Sequence, residues 1–259
     1  MSHEFVLVEK TDHAAVLTLN NPPLNSLSGQ VIEALDRGIS GVLAEKTCRC
    51  LVVTGHGERA FASGADIREL ENLDEKSGTA LVARVKEVFG RIRSCSIPTI
   101  AAINAHAMGG GLELALHCDF RVAAENARLG LPEINLGVMP GAGGTQLLSQ
   151  LIGLAKARWM IMSGEIIRAD AALKMGLLDR VVKGDVLLAE VKKMAVSLAE
   201  KPPLSCKAIK KALLAGESLS FSDAMQEESR LFGMLCATRD KKEGVRAFLE
   251  KRKPKFEGS

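Results

Sequence analysis

The sequence predicts an α/β fold with a helical C-terminal region. Up to about residue 140, short apolar runs of strand length alternate with stretches of helical period. From about Gly141 onward helical periods dominate. With 259 residues, 47% of them apolar, the chain can bury roughly 70–75% of its unfolded surface.

Each element has a local reason. Glu4–Lys10 and Ala14–Asn20 read as two strands joined through Thr11-Asp12-His13. Asn20-Asn21-Pro22-Pro23 then stops the sheet, and Ser28 is placed to cap a helix. That helix carries Val31, Ile32, Leu35, Ile39, Val42 and Leu43 on one face. Cys50–Thr54, Pro98–Ala105 and Phe120–Ala124 are apolar runs of buried-strand type, and Thr79–Arg93 is helical between them. Beyond Gly141 the predicted helices are 147–152, 156–163, 169–175, 187–200, 205–215, 222–236 and 241–251, with Pro202-Pro203 suited to a first helical turn. Residues 1–199 are expected to form a catalytic core and residues 200–259 a helical extension.

Composition removes several functional classes. Lys+Arg total 34 and Asp+Glu 31, a balance that does not point to nucleic acid or an anionic membrane. Eight Phe, one Trp and no Tyr leave no phenolic acid and no closely spaced stacking platform for single strands. The six cysteines form no CxxC pair and are expected to be reduced, buried thiols of a cytoplasmic protein. The five histidines lack metal-ligand spacing, so no metal site is expected. The Met1-Ser-His-Glu start has no signal-peptide character, and no apolar stretch is long enough to span a membrane.

Three segments break local rules. In Phe61–Leu70, Asp66 with Glu69 three residues on reads as a capping box, and Gly64 makes a bend that exposes the Ala65 amide beside a helix start. In Ala105–Asp119, three consecutive glycines, Gly109-Gly110-Gly111, precede a helical run without a dinucleotide or phosphate-loop pattern. They point to close approach of a ligand or another backbone. Glu113 lies in that run with leucines on both sides. In Leu129–Thr145, Glu133 is the only charged residue. It is either a helix cap or a carboxyl with a raised pKa. Two carboxyls in a partly desolvated pocket suit acid/base work on water and carbon. Two glycine-bounded amides suit an oxygen that gains negative charge.

At these residues the sequence resembles the enoyl-CoA hydratase/isomerase (crotonase) family, through Phe61–Leu70, Ile103–Asp119, Leu129–Gln146 and Gly244–Phe256. The resemblance implies a spiral of ββα turns, with residues 200–259 used for trimerisation, as a homotrimer or a dimer of trimers. It implies an acyl-CoA substrate and no metal or redox cofactor. Residue by residue, it implies Glu113 and Glu133 as acid/base groups and the amides of Ala65 and Gly110 as an oxyanion hole. Leu24, Ala62, Ala65, Asp66, Ile67, Arg68, Phe232, Phe248 and Lys251 fall at CoA-contact positions, the C-terminal ones often reaching in from another subunit. The early loop Asn21-Pro-Pro-Leu-Asn-Ser lacks the basic residue that many members carry.

Both glutamates being present favours hydration of a trans-2-enoyl-CoA over the family's other branches. Isomerisation of a Δ3 to a Δ2 enoyl-CoA, or hydration of a branched or dicarboxylic enoyl-CoA, remains the alternative. Arg68 and Arg84 are the residues to inspect for an acidic acyl chain. RNA binding is a distant alternative that would rest on Arg84, Lys86, Arg91, Arg93 and the basic tail 250–255.

Overall fold

A computed structural model describes residues 3–11 and 13–259. The Met1-Ser2 start and the turn residue Asp12 lie outside the described residues. Strands β1 (Val6–Thr11) and β2 (Ala14–Leu19) form the predicted antiparallel hairpin, and α1 (Gly29–Leu43) follows. Ser28 caps α1 by accepting the Val31 N–H at 3.4 Å. The chain then repeats one motif. β3 (Cys50–Gly55) and β4 (Ala60–Ala62) lead into the short α2 (Ile67–Leu70) and long α3 (Glu75–Ser94). β5 (Thr99–Ile103) and β6 (His106–Met108) lead into α4 (Gly110–Leu116). β7 (Phe120–Ala124) and β8 (Arg128–Gly130) lead through a 3-10 turn, Pro132–Leu136, into α5 (Gly144–Ile152) and α6 (Leu154–Ser163).

Each first strand of a repeat enters one sheet and each second strand another. The larger sheet runs β1-β2-β3-β5-β7-β10, where β10 is Arg180–Val182, and is parallel from β2 onward. The smaller runs β4-β6-β8-β9, where β9 is Ile166–Arg168. This is the expected spiral of ββα turns. The smaller sheet is an addition to the sequence reading, which gave only the longer apolar strands. Its strands are three residues each, too short to show a period.

The continuous apolar strands serve two cores at once. In β3, Leu51 and Val53 join the core shared with α1, α3 and α4. Cys50 and Val52 point into the other, against α8 (Leu187–Ala199). Between these lie α7 (Ala169–Met175) and, after α8, three helices close the chain: α9 (Pro203–Ser218), α10 (Phe221–Cys236) and α11 (Arg239–Leu249). Buried Lys210 of α9 pins the extension to the core through Asp119 at 2.8 Å and the Ile97 carbonyl at 3.0 Å. All six cysteines are free. Burial is narrower than expected, because Cys236 is exposed at the end of α10.

The charged helix α3 is not an open basic face. Arg84 is held by Glu33, Asp36 and Glu87 at 2.8–2.9 Å, Arg91 pairs with Asp36, and Arg93 with Glu217. In the tail, Arg252 pairs with Glu243 and Glu250, and Lys253 with Glu200. Cations already neutralised this way have less to offer a phosphate backbone, which weakens the RNA reading and leaves it to exposed Lys86, Lys251 and Lys255. No helix among the described residues is long and apolar enough to cross a membrane.

Candidate active site

The site is built where β6 passes into α4. Gly109 makes the turn at φ 52°, ψ −126°, a conformation that side chains avoid. It allows the first turn of α4 to begin at Gly110, whose N–H has no protein acceptor among the described residues. Facing it, Gly64 bends the chain after β4 and is fixed by the Leu27 N–H donating to its carbonyl at 2.8 Å. The Ala65 N–H that follows is also without a protein acceptor among the described residues. The two amides are close neighbours. A Cβ placed on Gly64 would lie 3.2 Å from the Gly110 nitrogen, and one on Gly110 3.8 Å from the Ala65 nitrogen.

Glu113 sits one turn further along α4. It is only 3% exposed, which rules out a glutamate on a wet helix face. Its Oε1 accepts the N–H groups of Ala142 at 2.7 Å and Gly144 at 2.8 Å. Burial pushes its carboxyl above the ordinary range, and those two amides and the Lys86 charge pull it back. Glu133 lies on the 3-10 turn after Pro132, half-buried. Its Oε2 is shielded and has no hydrogen-bond partner among the described residues. Burial, with the nearby Glu113 charge adding to it, raises its pKa to about 7. A Cβ on Gly109 would touch Glu133 Oε1 at 3.0 Å, so this carboxyl rests against the turn that opens α4.

Both carboxyls and both amides line one cavity of about 510 Å³. Its other walls are largely apolar, including Leu70, Leu73, Leu81, Val82, Val138 and Met139. The cavity bears five acidic residues and no Lys, Arg or His among its lining residues.

The sequence expectations divide here. Ala65, Asp66 and Ile67 line the cavity, but Leu24, Ala62 and Arg68 do not. Ala62 is buried in β4, where its carbonyl faces Gly111. Arg68 is exposed and outside the lining, and Arg84 is spent on its three carboxylates. Phe232, Phe248 and Lys251 lie on or beside α10 and α11, outside the cavity of this chain, the two phenylalanines 70% and 83% exposed. The expected capping box at Asp66 is half made. Asp66 accepts the Arg68 N–H at 3.0 Å, but Glu69 turns away to accept the Gly29 N–H at 3.1 Å. The free amides at the start of α1 attract that carboxylate. The reading missed Ala142 and Gly144 as partners of Glu113. Their signal was the Gly141-Ala-Gly-Gly144 run, which leaves amides uncovered by side chains.

The raised pKa makes a stability prediction. A carboxyl that holds its proton to about pH 7 when folded, but to ~4.5 when unfolded, contributes stability that is complete below ~4.5. That contribution is lost as pH rises through about 7. Glu133→Gln should therefore melt higher than the parent at pH 8, by about 2 °C or more, and the gap should close toward pH 4.5. Melting curves of both proteins across pH 4.5–8 check this; a gap that does not depend on pH would refute it.

The chain matches the family model "Enoyl-CoA hydratase/isomerase" over residues 9–259. It is 39% identical over 257 residues to a crotonyl-CoA hydratase of Syntrophomonas wolfei, covering 99% of each chain. It is 38% identical over 254 residues to a 2,3-dehydroadipyl-CoA hydratase of Escherichia coli, covering 98% of each. The crystal structure of an enoyl-CoA hydratase from Bacillus anthracis superposes with a TM-score of 0.94 at 36% identity, over 98% of this chain and 100% of that one. Similarity of this extent, over a site built from the segments that carry the sequence resemblance, shows that the chain belongs to the enoyl-CoA hydratase/isomerase family.

Proposed function

We propose that the cavity adds water reversibly across the 2,3 double bond of a trans-2-enoyl-CoA, giving the 3-hydroxyacyl-CoA. The observation that carries this is the meeting of two carboxyls with two idle amide donors on one apolar cavity. The Ala65 and Gly110 N–H groups bind the thioester oxygen and stabilise it as it gains charge, each such donor contributing about 2.7–4 kcal/mol to lowering the barrier. Glu113, gripped through Oε1, holds a water and takes its proton as the oxygen bonds to C3. The electron pair moves through C2 to the thioester oxygen, and Glu133 delivers a proton to C2 from the same cavity. A carboxyl titrating at about 7 is suited to give that proton and, in the reverse direction, to take it back. The residues supply both proton transfers and the charge stabilisation, so no cofactor is needed. The exposed phenylalanines of α10 and α11 support assembly as a homotrimer or dimer of trimers, with Phe232, Phe248 and Lys251 meeting the CoA of a neighbouring copy. Six free thiols support a cytoplasmic setting.

The same cavity selects the acyl chain. An ω-carboxylate would enter a site with five acidic residues and no cation on its walls, and burying a charge without a partner is strongly unfavourable. Lys86, whose charge reaches Glu113, is exposed and outside the lining. The expected substrates are uncharged enoyl thioesters. Steady-state kinetics should give crotonyl-CoA and trans-2-hexenoyl-CoA a kcat/KM about a hundredfold or more above that of the six-carbon enoyl-CoA ending in a carboxylate. Equal rates would refute the selection, and no turnover of any of the three would refute hydration itself.

A further inference from the structure

Among the buried titratable groups, His117 has no part in the proposed chemistry, yet it touches both supports of Glu113. Its ring closes the end of α4. Nδ1 donates to the Glu113 backbone carbonyl at 2.8 Å, one helical turn back. This bond fixes the neutral tautomer, and burial depresses the imidazole pKa to about 4, so the ring stays uncharged at neutral pH. The other edge of the ring faces the 142–144 turn. A Cβ on Gly143 would lie 3.1 Å from His117 Cε1 and 3.5 Å from Nε2. Gly143 itself sits at φ 111°, and the residues on either side of it supply the two N–H groups that hold Glu113 Oε1. Phe89 of α3 packs edge-on against the ring at 5.5 Å and limits its movement.

We propose that His117 is a positioning residue for Glu113. It ties the Glu113 backbone through Nδ1 and places the Cε1–Nε2 edge of a rigid ring beside the amide-donating turn, which sets the distance between the carboxyl and the two amides that aim it. This rests on the reading of Glu113 as the water-activating group. A displaced carboxyl loses rate rather than binding, because the thioester grip at Ala65 and Gly110 is built from other residues.

The test is a cycle in two backgrounds. His117→Ala should lower kcat on crotonyl-CoA between about ten- and a hundredfold in the parent while KM changes by less than about threefold. In the Glu113→Gln background the same substitution should change the residual kcat by less than about twofold, since the group it acts through is gone. A residue that only supports the fold would lower kcat equally in both. Melting temperatures establish that each variant is folded. If His117→Ala does not fold, His117→Gln carries the test. It keeps a donor for the Glu113 carbonyl but not the ring surface against Gly143, and its loss should again vanish in the Glu113→Gln background. Equal losses in both backgrounds, or parental kcat in a folded His117→Ala, would overturn the proposal. Parental kcat in Glu113→Gln alone would instead overturn the role given to Glu113.

Discussion

Glu133→Gln should lower the maximal rate of crotonyl-CoA hydration by about 10²–10⁴ and leave KM within a few-fold of the parent. Glutamine matches the carboxyl in shape and cannot exchange the C2 proton. The shielded Oε2 has no partner among the described residues to lose. Gly109 leaves room for the side chain at 3.0 Å from where a Cβ would stand. The substitution therefore removes a group used at the transition state and little that binds the ground state. Glu113→Gln should show a loss of similar size for a different reason. The amide oxygen can still accept from Ala142 and Gly144, which hold the carboxyl at 2.7 and 2.8 Å, so the fold survives without the base that activates water. The double variant should be little slower than the worse single one, since the two act on one event. Steady-state kinetics with crotonyl-CoA decide this; near-parental turnover in both single variants would remove these residues from the chemistry.

The legible parts of the molecule were those where residue type and environment coincide. Cys50–Thr54 and Phe120–Ala124 are buried on both faces, so their apolar runs announced central strands. Glu113 stood out because leucines flank it on a helix that is buried all round, and Glu133 because its loop holds no other charge. The amides were legible only through their glycines. Gly109-Gly110-Gly111 marked a close approach, but whether a given N–H is idle depends on distant acceptors. Ala142 and Gly144 act entirely through backbone groups that no side chain encodes. The second sheet was illegible because its hydrogen bonds join three-residue pieces far apart in sequence. The arginines of α3 misled for a related reason. Glu33 and Asp36 lie about 50 positions away from Arg84, and charge pairing at that separation is settled by packing, not by pattern.

The same packing makes Gly111 the least tolerant position near the site. In the folded chain a Cβ there would lie 2.2 Å from the Ala62 carbonyl oxygen and 2.8 Å from its carbon. Neither partner yields easily, as one is the backbone of β4 where Ala62 pairs with Ala107 of β6 and the other is the first turn of a buried helix. Gly111→Ala must therefore push α4 away from β4. Overpacking of this kind costs about 3 kcal/mol or more against two fixed backbones, a fall of roughly 6–12 °C in melting temperature. Catalysis should suffer beyond stability. Ala65 follows β4 and Gly110 opens α4, so separating the two elements widens the gap between the amides that grip the thioester oxygen. A misplacement of that order lowers kcat by about a hundredfold. Gly90 provides the contrast. It lies inside α3 with nothing near the space a Cβ would fill, and Gly90→Ala should raise stability by about 0.4–1 kcal/mol with parental kcat. Thermal melts and kinetics on the two variants test the arrangement together. If Gly111→Ala melted with the parent and kept its rate, α4 could not be seated against β4 as described, and the two amides would have to be brought together by something else.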